Sequence, residues 1–190
     1  MPARLDYGRA AGGVYDAMDA LDRYLATCGL DERLLHLVRL RASQINGCAY
    51  CLDMHWKDLR ALGESEQRLC SLDAWRECPY YDDRERSALG WAEAVTRIRA
   101  GHAPDEVFED ARRHFDEREL CDLTLAIAAI NAWNRLSIAA RLEPGGYRAG
   151  GALAAEVKRP RDRCQAGPST RSSNDVSRAA EVRSGSREGS

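Results

Sequence analysis

The sequence predicts an all-α multi-helix bundle. Three features lead there. Apolar residues recur at steps of three and four as far as Pro144, and acidic or hydroxyl residues stand where helices would begin. No segment alternates convincingly at period two, and no hairpin turn joins two apolar runs.

The elements follow in order. Val14, Met18, Leu21, Leu25 and Cys28 form an amphipathic stripe that Gly29 can end. Asp31 can cap a second helix that buries Leu34, Leu37 and Val38. Asn46 and Gly47 interrupt the chain. A third helix then carries Cys48, Leu52, His55, Leu59 and Leu62, with Gly63 as its stop. Ser65 can cap a short segment running to Trp75. Asp82 with Glu85 reads as a capping box for a helix to about Arg99, whose buried stripe would be Ala88, Trp91, Ala92, Val95 and Ile98. A short helix spans about Asp105 to His114. Asp116 with Glu119 repeats the capping signal before a long apolar helix, Leu120 to about Arg141. Being apolar around most of its girth, that helix is either the central core helix or a subunit interface.

Composition narrows the functions. The formal net charge of -2 gives neither the basic balance that favours nucleic acid nor an acidic one that favours disorder. The longest apolar stretch, Leu123 to Trp133, is too short for a transmembrane span, and the first residues lack the apolar region of a signal peptide. A cytoplasmic protein with no membrane or nucleic-acid partner is the expectation. After Pro144 the chain turns rich in Gly, Ser, Pro and Arg, so a domain over 1–150 is expected to be followed by a disordered tail over 151–190. Of the seven cysteines, only Cys48 and Cys51 lie close enough in sequence for joint chemistry; in a reducing compartment the others read as small apolar residues.

Chemistry concentrates in Ser43 to His55. Cys48 and Cys51 share one helical turn at a helix N-terminus, where free backbone N–H groups and the helix dipole stabilise a thiolate. His55, four residues after Cys51, shares its face and could take and return the thiol proton. His36, on the preceding helix, becomes a second proton-handling group if the two helices pack side by side. Three other readings stay open. The two cysteines could be plain core residues, His55 could be an ordinary satisfied histidine, or Cys48, Cys51, His55 and His36 could form a tetrahedral zinc set. Trp75, Trp91 and Trp133 read as core. Asn131 and Asn134 read as polar partners inside an apolar helix, and Asp82 to Arg86 as a solvated helix start.

The stretch from Arg41 through Ser43-Gln44-Ile45-Asn46-Gly47-Cys48-Ala49-Tyr50-Cys51 to His55 resembles the signature of alkylhydroperoxidase D-like proteins of the carboxymuconolactone decarboxylase superfamily. Further matches run in order from Arg4-Leu5-Asp6-Tyr7 to Asn131-Ala132-Trp133-Asn134-Arg135-Leu136, so the likeness covers roughly residues 4–148. The resemblance implies an all-α fold assembling into homo-oligomers, often trimers or hexamers, and an antioxidant, peroxiredoxin-type peroxidase that needs no flavin, haem or metal. It assigns Cys51 as the peroxidatic thiol paired with His55, and Cys48 as the resolving thiol that closes a redox-active disulfide. An external dithiol, of lipoyl type or another, would then reopen it. Two positions depart from the family pattern. The relay carboxylate twelve residues before the first cysteine falls on His36, and the histidine sometimes found between the cysteines is Tyr50.

The expected function is therefore a cofactor-free thiol peroxidase reducing hydroperoxides through Cys48, Cys51, His55 and His36. The alternatives are a redox-sensing thiol switch without turnover and a zinc-binding structural module built on the same residues.

Overall fold

A computed structural model describes residues 3–150, and the proposed tail over 151–190 lies outside them. Helices make up most of the described residues, which contain no strand. Eight α-helices run in order: α1 Tyr7–Ala10, α2 Gly12–Leu25, α3 Glu32–Asn46, α4 Ala49–Ala61, α5 Glu66–Cys70, α6 Asp83–Thr96, α7 Asp105–His114 and α8 Glu117–Ala140. A 3₁₀ segment, Leu72–Glu77, follows α5.

The starts obey local chemistry. Asp31 accepts from the Leu34 N–H, Ser65 from that of Arg68, and both capping boxes form at Asp82/Glu85 and Asp116/Glu119. The segment predicted to run to Trp75 divides at Ser71 into α5 and the 3₁₀ turns. α6 stops at Thr96 rather than near Arg99. Ile98 therefore leaves the buried stripe and is 48% exposed.

The core sits around α3 and α8. α3 packs on α4, α6 and α8, while α8 also meets α2 and α4. From Leu34 to Ser43 every residue of α3 is buried, so its buried side is its whole circumference. α8 buries Leu123, Ala126, Ile127 and Ile130 completely or nearly so. By length and composition it could cross a membrane, with a mean hydropathy of 1.2, although the uninterrupted apolar run counted in the sequence was too short. Here it is the core helix of the bundle. Its buried polar groups meet partners on other helices: Asp122 accepts from the Tyr24 hydroxyl at 2.7 Å, and Asn134 meets Asn46 and Ser43.

Several side chains depart from the sequence reading. Trp133 is only half-buried; it stacks on Tyr15 and donates its indole N–H to Asp22 at 2.8 Å. The Asp82 to Arg86 run is more than a solvated start. Arg84 pairs with Glu119 at 2.6 Å, and Arg86 donates to the carbonyls of Trp75, Arg76 and Cys78. Cys28 is buried as expected, but Cys70 and Cys121 are exposed because they fall on the outer faces of α5 and α8.

Candidate active site

α3 and α4 meet through one left-handed residue. Gly47 has φ 70° and ψ 32°, a conformation that a side chain disfavours. It lets the Gly47 and Cys48 N–H groups return to the carbonyls of Gln44 and Ser43, closing α3. Cys48 is consequently the N-cap of α4 rather than its first helical residue, and its sulfur accepts the Cys51 N–H at 3.3 Å. The helix opening thus presents its free N–H groups to sulfur.

Cys48 and Cys51 are joined as a disulfide, with their Cα atoms 5.4 Å apart. Each is 1% exposed, packed with Ala42 and Ile130 and flanked by Tyr50 and Trp133. A polar frame stands behind them. Asn46 donates to Asn131 at 2.9 Å and to Asn134 at 2.8 Å; Asn134 donates to the Ser43 hydroxyl at 3.0 Å, which donates to the Arg39 carbonyl at 2.8 Å. Every one of these groups has a partner, so the frame can hold the α3–α4 corner rigidly. A cavity of about 260 Å³ opens beside Cys48, lined by Tyr50, Ser137, Ile138, Arg141 and Leu142 among others. Cys51 does not line it.

His55, one turn after Cys51, is 2% exposed. The short α3–α4 turn brings His36 against it, with Nδ1 facing Nδ1 at 3.1 Å and ring centroids 5.3 Å apart. Asp58, a third buried group, turns its Oδ2 toward both rings, 3.6 Å from His36 Nδ1 and 3.9 Å from His55 Nδ1. Its other oxygen accepts from the Tyr147 hydroxyl at 2.6 Å. Tyr147 belongs to a strap laid across α4: Lys57 donates to the carbonyls of Gly145 and Tyr147, and the Gly145 N–H donates to Asp53.

Burial, then the Arg39 guanidinium, pushes His36 down to about 4. Burial, His36 and Arg39 hold His55 well below the ordinary imidazole range. Both rings are therefore neutral at pH 7, so one Nδ1 donates and the other accepts. His36 Nε2 lies 3.9 Å from the Glu32 carboxylate. A proton on that nitrogen leaves His36 Nδ1 as the acceptor and makes His55 Nδ1 the donor. The lone pair of His55 then resides on Nε2, a buried atom with no hydrogen-bond partner. Burial raises the Asp58 carboxyl, against the opposing pull of the Tyr147 hydrogen bond.

The structure joins Cys48 to Cys51 and sets His36 against His55; the two pairs are linked through α4, where His55 follows Cys51 by one turn. The zinc set drawn from them is a different matter. The cysteines are bonded to one another, and among the described residues the group close enough to share an ion is His36, His55 and Asp58. Asp58 and Tyr147 escaped the sequence reading. A His-x-x-Asp step on one helix face was the available signal for Asp58; nothing local marked Tyr147, which lies 89 residues away.

Residues 12–94 match the Carboxymuconolactone decarboxylase family. The uncharacterized protein YdfG of Bacillus subtilis is 40% identical over 139 residues, spanning 73% of this chain and 95% of that protein. The chain belongs to the carboxymuconolactone decarboxylase family. Its fold is similar to that of a protein of unknown function from Agrobacterium tumefaciens, described as a candidate AhpD antioxidant-defence protein. That likeness has a TM-score of 0.74 at 44% identity, covering 77% of this chain and all of the other. An uncharacterized peroxidase-related protein from Silicibacter sp. TM1040 is similar at a TM-score of 0.63 and 27% identity, over 71% of this chain and 72% of its own. Within the carboxymuconolactone decarboxylase family, this chain's site is an AhpD-like CxxC corner with an imidazole, His36, where the resemblance leads one to expect a relay carboxylate. Asp58 brings a carboxylate to the ring pair from α4.

Proposed function

We propose that this protein is a thiol-dependent peroxidase that reduces hydroperoxides through a Cys48/Cys51 dithiol–disulfide cycle. The observation that carries this reading is the closed Cys48–Cys51 disulfide at the opening of α4 with His55 buried one turn further on. The likeness to a candidate antioxidant-defence protein supports it.

In the reduced state, His55 Nε2 takes the Cys51 proton, and the helix N-terminus stabilises the thiolate. The thiolate attacks the O–O bond. Cys51 becomes a sulfenic acid, and the leaving alkoxide takes the proton from His55 and departs as the alcohol. Cys48 then attacks the sulfenic sulfur, forming the disulfide and releasing water. An external dithiol, of lipoyl or similar type, returns two electrons by exchange. No cofactor enters the cycle. Homo-oligomeric assembly and a cytoplasmic setting belong to the same proposal.

The test is peroxide consumption by the reduced chain with a panel of dithiol donors, together with mass spectrometry of the product. We expect steady turnover, a Cys48–Cys51 disulfide in the oxidised form, and loss of turnover in Cys51→Ser. Native-rate turnover in Cys51→Ser would overturn the assignment. A single oxidation event with no turnover under any dithiol would identify a thiol switch instead.

A further inference from the structure

We infer that His36, His55 and Asp58 form a binding site for one divalent transition-metal ion of the zinc class, held by His36 Nδ1, His55 Nδ1 and Asp58 Oδ2. The three atoms are separated by 3.1, 3.6 and 3.9 Å. These lengths make an acute triangle whose centre lies about 2.1 Å from every corner, the bond length zinc takes to imidazole nitrogen and carboxylate oxygen. An ion there would lie near the plane of the three atoms, each ring would turn its Nδ1 lone pair from the other ring toward it, and a water could supply a fourth ligand.

Three further observations point to a ligand. Asp58 Oδ2 is a buried oxygen with no hydrogen-bond partner. It faces two nitrogens, yet lies too far from either for a hydrogen bond, so among the three ligand atoms only the Nδ1–Nδ1 contact is satisfied. Part of an outer shell is present: Asp58 Oδ1 accepts from the Tyr147 hydroxyl at 2.6 Å, and the Glu32 carboxylate lies 3.9 Å from His36 Nε2, while His55 Nε2 has no partner. The local charge permits a dication. Arg39 is the opposing cation, and Asp22, 3.5 Å from its guanidinium, offsets it; Asp58 and Glu32 remain as uncompensated carboxylates near the rings.

Occupancy has a chemical consequence, which rests on the peroxidase reading as the binding itself does not. An ion on His55 Nδ1 displaces that proton to Nε2. The ring then offers Cys51 an N–H donor in place of a lone pair, and it can no longer accept the thiol proton. The metal-loaded protein is therefore the resting form of the enzyme and the metal-free protein the active one.

The experiment uses the full chain with the Cys48–Cys51 disulfide formed and the remaining thiols alkylated, so that no thiolate can bind metal. Zinc is titrated by calorimetry after chelator treatment. Cobalt is bound in parallel to read the ligand type from its spectrum. We expect one ion per chain, a nitrogen/oxygen cobalt spectrum without a thiolate charge-transfer band, and a loss of affinity of more than about tenfold in both Asp58→Asn and His36→Gln. Cys48→Ser/Cys51→Ser should bind as tightly as the parent. Circular dichroism and a thermal melt establish that each variant is folded. Should Asp58→Asn prove unfolded, Tyr147→Phe, which removes the hydroxyl that Asp58 Oδ1 accepts from, should still weaken binding. Absence of binding to the parent, or equal affinity in folded Asp58→Asn and His36→Gln, overturns the proposal. If binding holds but zinc leaves peroxide turnover unchanged, the site stands and the role of His55 as the base fails.

Discussion

Glu93 ties three elements together at the back of the site, and its removal has a calculable cost. Its carboxylate, 7% exposed on α6, accepts from Arg41 Nε at 2.8 Å, from the Trp75 indole at 2.9 Å and from Arg76 at 2.6 Å. Arg41 lies on α3, two helical turns before the cysteine corner. In Glu93→Ala the buried Arg41 keeps Gln44 and Asp73, but the Trp75 N–H loses its acceptor. An orphaned buried donor costs roughly 1–3 kcal/mol. Removing one member of a buried charge pair costs about 3–5 kcal/mol. The retained partners of Arg41 place the total near the lower end, about 3 kcal/mol, a large part of a typical total of about 5–15 kcal/mol. The assay is urea denaturation, read as a lower midpoint at unchanged slope. A thermal melt should fall by about 6–12 °C. A loss below about 1 kcal/mol would refute the reasoning, because that is the worth of an exposed ion pair. The pH dependence has a definite sign. Burial alone would raise the Glu93 carboxyl, but hydrogen bonds from Trp75, Arg76 and Arg41 outweigh it and hold the group below 4.5. The stabilisation is therefore fully present above that value and is lost as the pH falls through the lower, folded-state value. Glu93→Ala should consequently flatten the acid limb of the stability profile.

Other outcomes follow from the same geometry. Gly47→Ala meets nothing within 4 Å, so its cost is the left-handed backbone alone, about 1–2 kcal/mol by denaturation. A larger loss would mean that the α3–α4 turn is more crowded than described. Asn134→Ala removes two hydrogen bonds from a fully buried position and should cost about 2 kcal/mol, with faster amide exchange at the ends of α3 and α4. His55→Gln should lower peroxide turnover by roughly 100-fold while leaving the Cys48–Cys51 disulfide able to form under a strong oxidant. Equal turnover in that variant would remove His55 from the chemistry.

The legible parts of this molecule were those encoded by neighbours in sequence. Asp31, Asp82 and Asp116 cap within three residues, so their helices could be started from the sequence, and α7 matched its predicted limits. The pairing of His36 with His55 was legible in outline. They lie 11 residues before and 8 after Gly47, so a tight turn between helices brings them opposite one another. What the sequence withheld depends on tertiary packing. Asp58 looks like any polar residue on an amphipathic helix until α3 and the strap carrying Tyr147 cover it. Arg86 reads as solvated until the carbonyls of the 3₁₀ segment turn toward it. Ile98 keeps helical phase with Trp91 and Val95 in the sequence, and only the end of α6 at Thr96 breaks that phase.

The asymmetry of the two sulfurs decides how the proposed cycle can be reset. A thiolate must approach a disulfide along its S–S axis, and the sulfur it attacks must be reachable. Both cysteines are 1% exposed, but Cys48 borders the cavity of about 260 Å³ and Cys51 does not. An external dithiol entering past Ile138, Arg141 and Leu142 therefore reaches Cys48 first and forms its mixed disulfide there. The sulfur expelled is Cys51, released as a thiolate at the opening of α4, one turn from His55. Reduction in this direction regenerates the group that the peroxide must meet, without a proton having to be removed again. A trapping experiment reads the order directly. With Cys51→Ala, a lipoyl-type or low-molecular-weight dithiol activated as its mixed disulfide should label Cys48 readily. With Cys48→Ala, labelling of Cys51 should be slower by at least about tenfold, because Cys51, then the attacking thiol, does not border the cavity through which the reagent enters. Equal labelling of the two would show that access does not set the order, and the resetting step would need a different geometry.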